Sequence, residues 1–393
     1  MPPKKKVEEQ KILLGRPGNN LKAGIVGLAN VGKSTFFQAI TRCPLGNPAN
    51  YPFATIDPEE ARVIVPSPRF DELCKIYKPA SEVPAHLTVY DIAGLTKGAS
   101  AGEGLGNAFL SHIRAVDSIY QVVRCFDDAE IIHIEGDVNP ARDLEIINTE
   151  LSLKDIEFCE KALEAAEKIA KRGGQSLEVK QKKEEAKFIE RLIELLKSGQ
   201  RVANQTWTPK EVEIINSLYL LTAKPTIYLI NLSERDYIRK KNKHLLKIKE
   251  WVDAHSPGDL IIPFSVCLEE KLSHMTEEES AEELKNLGTV SALPKIVTTM
   301  RKKLDLISFF TAGADEVREW TIRDGTKAPQ AAGVIHNDLM NTFILAQVMK
   351  YADVIEYKDE AAVKAAGKLQ QKGKDYVVED GDVIYFRAGA GKN

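Results

Sequence analysis

The 393-residue sequence predicts an α/β fold: a mainly parallel sheet covered by helices, an inserted helical arm, and a small C-terminal α+β unit. Three observations carry this. Five short apolar runs are separated by segments long enough to hold crossover helices. A stretch rich in Glu, Lys, Leu and Ile, without proline between Pro140 and Pro209, interrupts them. Beyond about Asp305 the apolar period shortens again.

The first run, Leu21-Lys-Ala-Gly-Ile-Val-Gly27, is a compact strand that enters a glycine-bearing turn and then the helical pattern Ser34 to Arg42. Further strands are expected at Leu87–Asp91, Ser118–Val123, Thr226–Ile230 and Leu260–Phe264. In the interrupting segment, Ile147, Leu151, Ile156, Cys159, Leu163, Ala166 and Ala170 recur at helical spacing, as do Phe188, Leu192 and Leu195. Arg172-Gly-Gly-Gln175 breaks the pattern, so a helical hairpin of antiparallel coiled-coil type is expected over residues 141–205, with or without a partner for its charged faces. It sits within a nucleotide-binding unit of residues 21–285, after a charged tail of residues 1–20. Residues 305–388 form the last unit, where Phe309–Gly313 and the run Tyr376 to Phe386 resemble strands around an Asp380-Gly381 turn.

Composition narrows the function classes. Hydrophobic residues make up 43% and charged residues 28%, as in an ordinary globular chain. At roughly 150 residues per domain the length fits about two to three domains. No uncharged apolar run approaches the ~20 residues that cross a bilayer, and Met1-Pro-Pro-Lys-Lys-Lys6 leads into charge rather than a signal core, so a soluble, cytoplasmic protein with no membrane partner is expected. The formal charge of −3 gives no global pull toward nucleic acid. Five scattered cysteines without a C-x-x-C pair fit reduced thiols.

The chemistry lies in Gly27-Leu-Ala-Asn-Val-Gly32-Lys33-Ser34, a G-x-x-x-x-G-K-S loop between a strand and a helix. Backbone amides of Asn30, Val31, Gly32, Lys33, Ser34 and Thr35 would curl around phosphates at the positive end of the helix. Lys33 would place a cation between the terminal phosphates, and Ser34 would ligate Mg²⁺. Asp91-Ile-Ala-Gly94 follows a strand: Asp91 is expected to hold the metal through water and the Gly94 amide to meet the terminal phosphate. Between them Thr55, in Pro52-Phe-Ala-Thr-Ile-Asp-Pro58, suits a switch that orders when its hydroxyl joins Mg²⁺. The stretch Leu95 to Asn107 carries four glycines, as a moving switch or an ordinary flexible loop would.

Base identity should be read after the fourth strand, where guanine-specific proteins of this layout carry N-K-x-D. Here the residues are Asn231-Leu-Ser-Glu234. Leu in place of Lys and the longer Glu in place of Asp remove the fitted guanine contacts. ATP is therefore favoured over GTP. Asn231 and Leu232 are expected to meet the adenine through backbone and side chains, with Phe126 as an apolar wall.

These motifs, with Asn50–Pro58, Gly104-Leu-Gly-Asn107, Phe309–Gly313 and Lys327-Ala-Pro-Gln-Ala-Ala-Gly333, closely resemble the Obg-like ATPases, the YchF subfamily of translation-factor-class P-loop GTPases. The resemblance implies a Mg²⁺-dependent ATPase of G-domain type with a coiled-coil insertion, a C-terminal TGS domain of β-grasp type, and association with ribosomes in the cytoplasm. It also implies slow unaided turnover, because Leu95 stands where Ras-type relatives place the water-orienting Gln. His133 is the candidate for that water, with His112 as its rival and a structural histidine as the plain alternative. Asn30 goes, in related enzymes with a hydrophobic residue after D-x-x-G, with a bound K⁺. Arg235, Arg239, Lys240, Lys241, Lys243, Lys247 and Lys249 form a run that meets RNA phosphate or only solvent, and Lys358, Lys364, Lys368, Lys372 and Lys374 a thinner one. Two other readings stay open: a GTPase of ribosome assembly, and a nucleotide-gated scaffold whose hydrolysis is incidental.

Overall fold

The computed structural model describes residues 13–16, 18–42, 60–92, 112–128, 136–171 and 176–389. Its first sheet is built from β1 (Lys22–Val26), β2 (Glu60–Ile64), β4 (His86–Asp91), β5 (Ser118–Arg124), β6 (Thr226–Asn231) and β7 (Leu260–Phe264) in the order β2-β4-β1-β5-β6-β7. All neighbours from β4 to β7 run parallel, and only the edge strand β2 is antiparallel to β4. Every residue of β5 and β6 is buried. That is why apolar residues there occupy both faces rather than alternating, with Gln121 a buried polar exception inside β5: helices cover both faces. The edge strand β2, which has no such run, shows the alternation instead, with Ala61 and Val63 inside and Arg62 outside.

Helix α1 (Lys33–Arg42) is held by Phe36, fully buried and edge-on to Phe264 at 5.3 Å and Tyr120 at 6.1 Å. Helix α2 (Pro68–Tyr77) starts at a Ser67 cap with proline in its first turn and ends at Lys78 in the left-handed region. The short strand β3 (Ser81–Val83) follows it.

The expected helical arm is α3 (Pro140–Ala170) against α4 (Leu177–Lys197), and a third helix, α5 (Pro209–Leu218), joins it. The apolar stripe of α3 serves two cores. Ile147 and Leu151 pack into the core of the first sheet, while Cys159 meets Phe188, Ile189 and Leu192 of α4 and Ile215 of α5. The fully buried Asp155 carboxylate anchors the arm, accepting from Leu221 N at 2.7 Å, Thr222 N at 2.8 Å and Thr222 Oγ1 at 2.7 Å. Burial pushes this carboxyl up to about 6 against the pull of those donors. Asp155→Ala leaves two buried amides without acceptors, and we expect a loss of about 2–4 kcal/mol in denaturant unfolding; an unchanged midpoint would show that the anchor is dispensable.

Helices α6 (Glu234–Arg239), α7 (Leu245–His255), α8 (Val266–Ser273), α9 (Glu277–Leu287) and α10 (Leu293–Lys303) complete this unit, and Leu293, Ile296, Val297 and Met300 of α10 lie in its core.

The remaining chain forms β8 (Leu306–Ala312), β9 (Glu316–Arg323), α11 (Ala328–Ile335), α12 (Asn337–Asn341), β10 (Phe343–Met349), α13 (Tyr351–Tyr357), α14 (Glu360–Ala365), β11 (Gln370–Lys372) and β12 (Val383–Ala388). The second sheet has the order β11-β10-β12-β8-β9-β3. Its sixth strand is therefore supplied by the first unit, β3 pairing parallel to β9. The expected strand pair around Asp380-Gly381 does not form. Only Val383–Ala388 is a strand, paired with β10 and β8, while Asp380 accepts from Ser308 N at 2.9 Å and from Arg69 Nη2 at 3.0 Å. A short polar side chain bonded to two other elements replaces the local turn, with Gly381 at φ 94° beside it.

Candidate functional site

The loop 27–32 crosses the C-terminal ends of β1 and β5. A side chain at Gly27 would put a Cβ 2.6 Å from the carbonyl oxygen of Val122, so only glycine lets the chain pass there. Asn30 and Gly32 take positive φ, 60° and 98°. A Cβ at Gly32 would stand 2.7 Å from Asn231 Nδ2. The loop thus folds back onto β6 and delivers Lys33 as the first residue of α1, with Ser34 exposed and Thr35 half-buried behind it. A helix N-terminus preceded by a glycine-lined loop is a phosphate site.

Lys33 is largely buried, and its Nζ donates to Leu28 O at 2.6 Å. Burial lowers its amine to about 8, and the negative charge of Asp91 pulls the other way. Asp91 closes β4 opposite Ile25, two residues before Gly27. An exposed hydroxyl at Ser34 and a half-buried carboxylate at Asp91 are hard oxygen donors, the set Mg²⁺ takes. Among the described residues there is no group of three His, Cys, Asp or Glu side chains placed to hold a metal. Thr55, Gly94, Leu95 and His133 lie outside the described residues. His112 is exposed and lies five residues before Asp117, whose amide donates to Lys22 O at the start of β1.

Asn231 is fully buried, and its amide is engaged at both ends: Nδ2 donates to Val31 O at 3.0 Å, and Oδ1 accepts from Val266 N at 3.0 Å. The side chain expected to read adenine also pins the phosphate loop to the start of α8, and its second Nδ2 hydrogen is left for a base. Leu232 differs from expectation in its side chain. Its side chain packs among Val123, Ile230, Ile248 and Val252, and its amide donates to Phe264 O at 2.8 Å. The carbonyl is what remains to it for a base. Ser233 caps α6 by accepting from Asp236 N at 3.2 Å, which sets Glu234 in the first helical turn.

Sequence reading passed over Arg124. It ends β5 directly beside Asn231, is 1% exposed, and donates to Phe126 O at 3.2 Å and Asp128 O at 3.3 Å. Its guanidinium stands 4.6 Å from the half-buried Phe126 ring, so the wall expected from Phe126 is built on a buried cation. An Arg directly after the apolar pair Val122-Val123 is the signal the sequence offers.

The parallel sheet with a glycine loop entering α1 at Lys33 and Asp91 on the neighbouring strand defines a P-loop nucleotide-binding protein. A family profile described as a 50S ribosome-binding GTPase matches residues 22–159, and the YchF-GTPase C-terminal profile, described as a protein of unknown function, matches residues 306–389. Obg-like ATPase 1 of Saccharomyces cerevisiae is 86% identical over all of both chains, and Obg-like ATPase 1 of Homo sapiens is 53% identical over 98% of each. The solved structure of the Schizosaccharomyces pombe YchF GTPase superposes with a TM-score of 0.89 at 63% identity, covering 96% of this chain and all of that one. The chain belongs to the Obg-like ATPase family, the YchF branch of the P-loop GTPases.

Proposed function

We propose that this chain hydrolyses ATP slowly with Mg²⁺ and acts as a nucleotide-controlled regulator associated with ribosomes. The observation that carries the reading is the sequence Asn231-Leu232-Ser233-Glu234, which begins at the end of β6 with the residue that pins the phosphate loop. With Leu232 turned into the core and Glu234 starting a helix, the guanine contacts of N-K-x-D have no counterpart. The names of the relatives agree with ATP. Lys33 and the loop amides would bind and orient the phosphates, Ser34, Thr55 and Asp91 would hold Mg²⁺, and Gly94 would meet the terminal phosphate. Bound there, the metal neutralises developing charge on the transferring phosphoryl group. Calorimetry with ATP and GTP in K⁺ and in Na⁺ tests this: we expect tighter ATP binding and slow ATP turnover. GTP preferred by tenfold, about 1.4 kcal/mol, overturns it. A K⁺ near Asn30 predicts slower turnover in Na⁺.

With Leu95 unable to orient water, His133 is proposed for that contact. Hydrolysis by His133→Ala at the wild-type rate would remove it from the mechanism.

For the ribosome the support is the description of the matched family profile and the cations of α6, α7 and the turn between them. All seven are exposed, and of them Lys243 pairs with Asp127 at 3.1 Å and Lys249 with Asp253 at 2.7 Å. They lie next to the loop that carries Phe126, so RNA phosphate there would adjoin the nucleotide site. No helix among the described residues is long and apolar enough to cross a membrane.

A further inference from the structure

A cavity of about 440 Å³ opens between the two sheets, away from the phosphate loop. One wall is the outer face of the β2–β4 edge with the start of β1; the other is β9. Arg62, His86 and Thr88 belong to the first wall, Arg318 and Trp320 to the second, and Arg301 of α10 enters between them. The strand register explains the gathering. Arg62 lies opposite Thr88 and Ile64 opposite His86, so alternate residues of both strands turn their polar side chains outward, toward the second sheet.

The charge of the cavity is positive. Lys22, Arg62, Arg301 and Arg318 face two carboxylates, Glu60 and Glu319. Glu60 is occupied by the Tyr90 hydroxyl, which itself takes a bond from Lys22. Glu319 accepts from Ser308 Oγ, and Ser308 Oγ accepts from Arg301 Nη2 at 2.8 Å. Those bonds leave Arg301 unfinished. The residue is 7% exposed, and its Nη1 is buried with no hydrogen-bond partner among the described residues. Glu319 Oε2 is in the same condition. A buried guanidinium nitrogen without an acceptor is costly. Arg318 is held in place by stacking on Trp320, 3.9 Å from the ring centroid. Desolvation first, then the positive field of Arg62, Arg318 and Arg301, lowers the His86 imidazole from its ordinary value.

We propose that this cleft is a second anion site, which takes a small molecule carrying phosphate, an ester or diphosphate, on Arg62, Arg301 and Arg318. A phosphate has enough acceptor oxygens to serve several guanidinium forks at once, which a carboxylate has not. The volume lies in the range of small-molecule sites and exceeds what bare phosphate fills. The ligand would touch both units. It would also touch the starts of β1 and β4, whose other ends carry Gly27 and Asp91. Nucleotide turnover would then respond to it through two strands with one register.

The probe is pyrophosphate, titrated calorimetrically into full-length Lys33→Met protein so that the phosphate loop does not compete, with the Trp320 indole N–H resonance as a local report. Saturable binding with a Kd on the order of 1 mM or below is expected, weakened at least tenfold by Arg62→Gln and by Arg318→Gln at unchanged unfolding midpoints. Absence of saturable binding overturns the proposal, as does binding that survives both substitutions or leaves the Trp320 resonance in place. An RNA oligonucleotide that displaces pyrophosphate through the same two arginines would assign the cleft to a polynucleotide and overturn the small-molecule reading.

Discussion

Lys33→Met is expected to weaken ATP binding about a hundredfold, near 3 kcal/mol, the worth of a charge-assisted bond or two to the terminal phosphates. The pH profile gives the sharper test. In the free protein the Lys33 amine loses its proton near 8, because burial disfavours the charged form more than Asp91 favours it. Polyphosphate requires the ammonium, so binding above pH 8 must take up a proton. ATP affinity should therefore be flat below about pH 7 and fall by about tenfold per pH unit once past 8. Calorimetry in buffers of different ionisation enthalpy reads the proton directly. In Lys33→Met the slope should vanish, and a wild-type profile flat from pH 7 to 9.5 would show that Lys33 keeps its charge in the free protein.

Asn231→Ala should be the most damaging change to the scaffold of the site. It strands Val31 O and Val266 N, both buried, and empties a close-packed position against Gly32. At about 1–3 kcal/mol for each unsatisfied group, we expect a loss of about 3 kcal/mol in denaturant unfolding and weaker binding of ATP and GTP alike. Asn231→Asp keeps the acceptor for Val266 N but sets a carboxylate against a carbonyl oxygen, and should be no better. If Asn231→Ala unfolds normally and loses only its preference for adenine, the amide reads the base and its role as a pin is wrong.

Much of the fold was legible because the signals were periodic or obligatory. Buried parallel strands such as β5 and β6 carry apolar residues on both faces, and the phosphate loop must have its glycines where backbone approaches backbone, as Gly27 does at Val122. What stayed hidden depends on contacts distant in sequence. Strand β3, three residues long, is a strand only because β9 lies beside it. Asp380-Gly381 has the composition of a hairpin turn, but Arg69 and Ser308, far away in sequence, claim the aspartate. Asn231 was legible as a residue of the site and not as a pin, since its partners at Val31 and Val266 come together only when β1, β6 and β7 align.

The strand exchanged between the two units sets a limit on dividing the molecule. The matched C-terminal profile begins at residue 306, as does β8. A chain cut there would release a sheet without β3, and would uncover Phe310, Val317 and Val383 where Phe70 and Leu73 of α2 now cover them. The complementary fragment would carry an unpaired edge strand and a bare apolar helix face, the two features that make a surface stick to its own copies. Proteolysis or genetic truncation at this natural-looking boundary should therefore give two aggregating pieces, which light scattering of the separated fragments would detect.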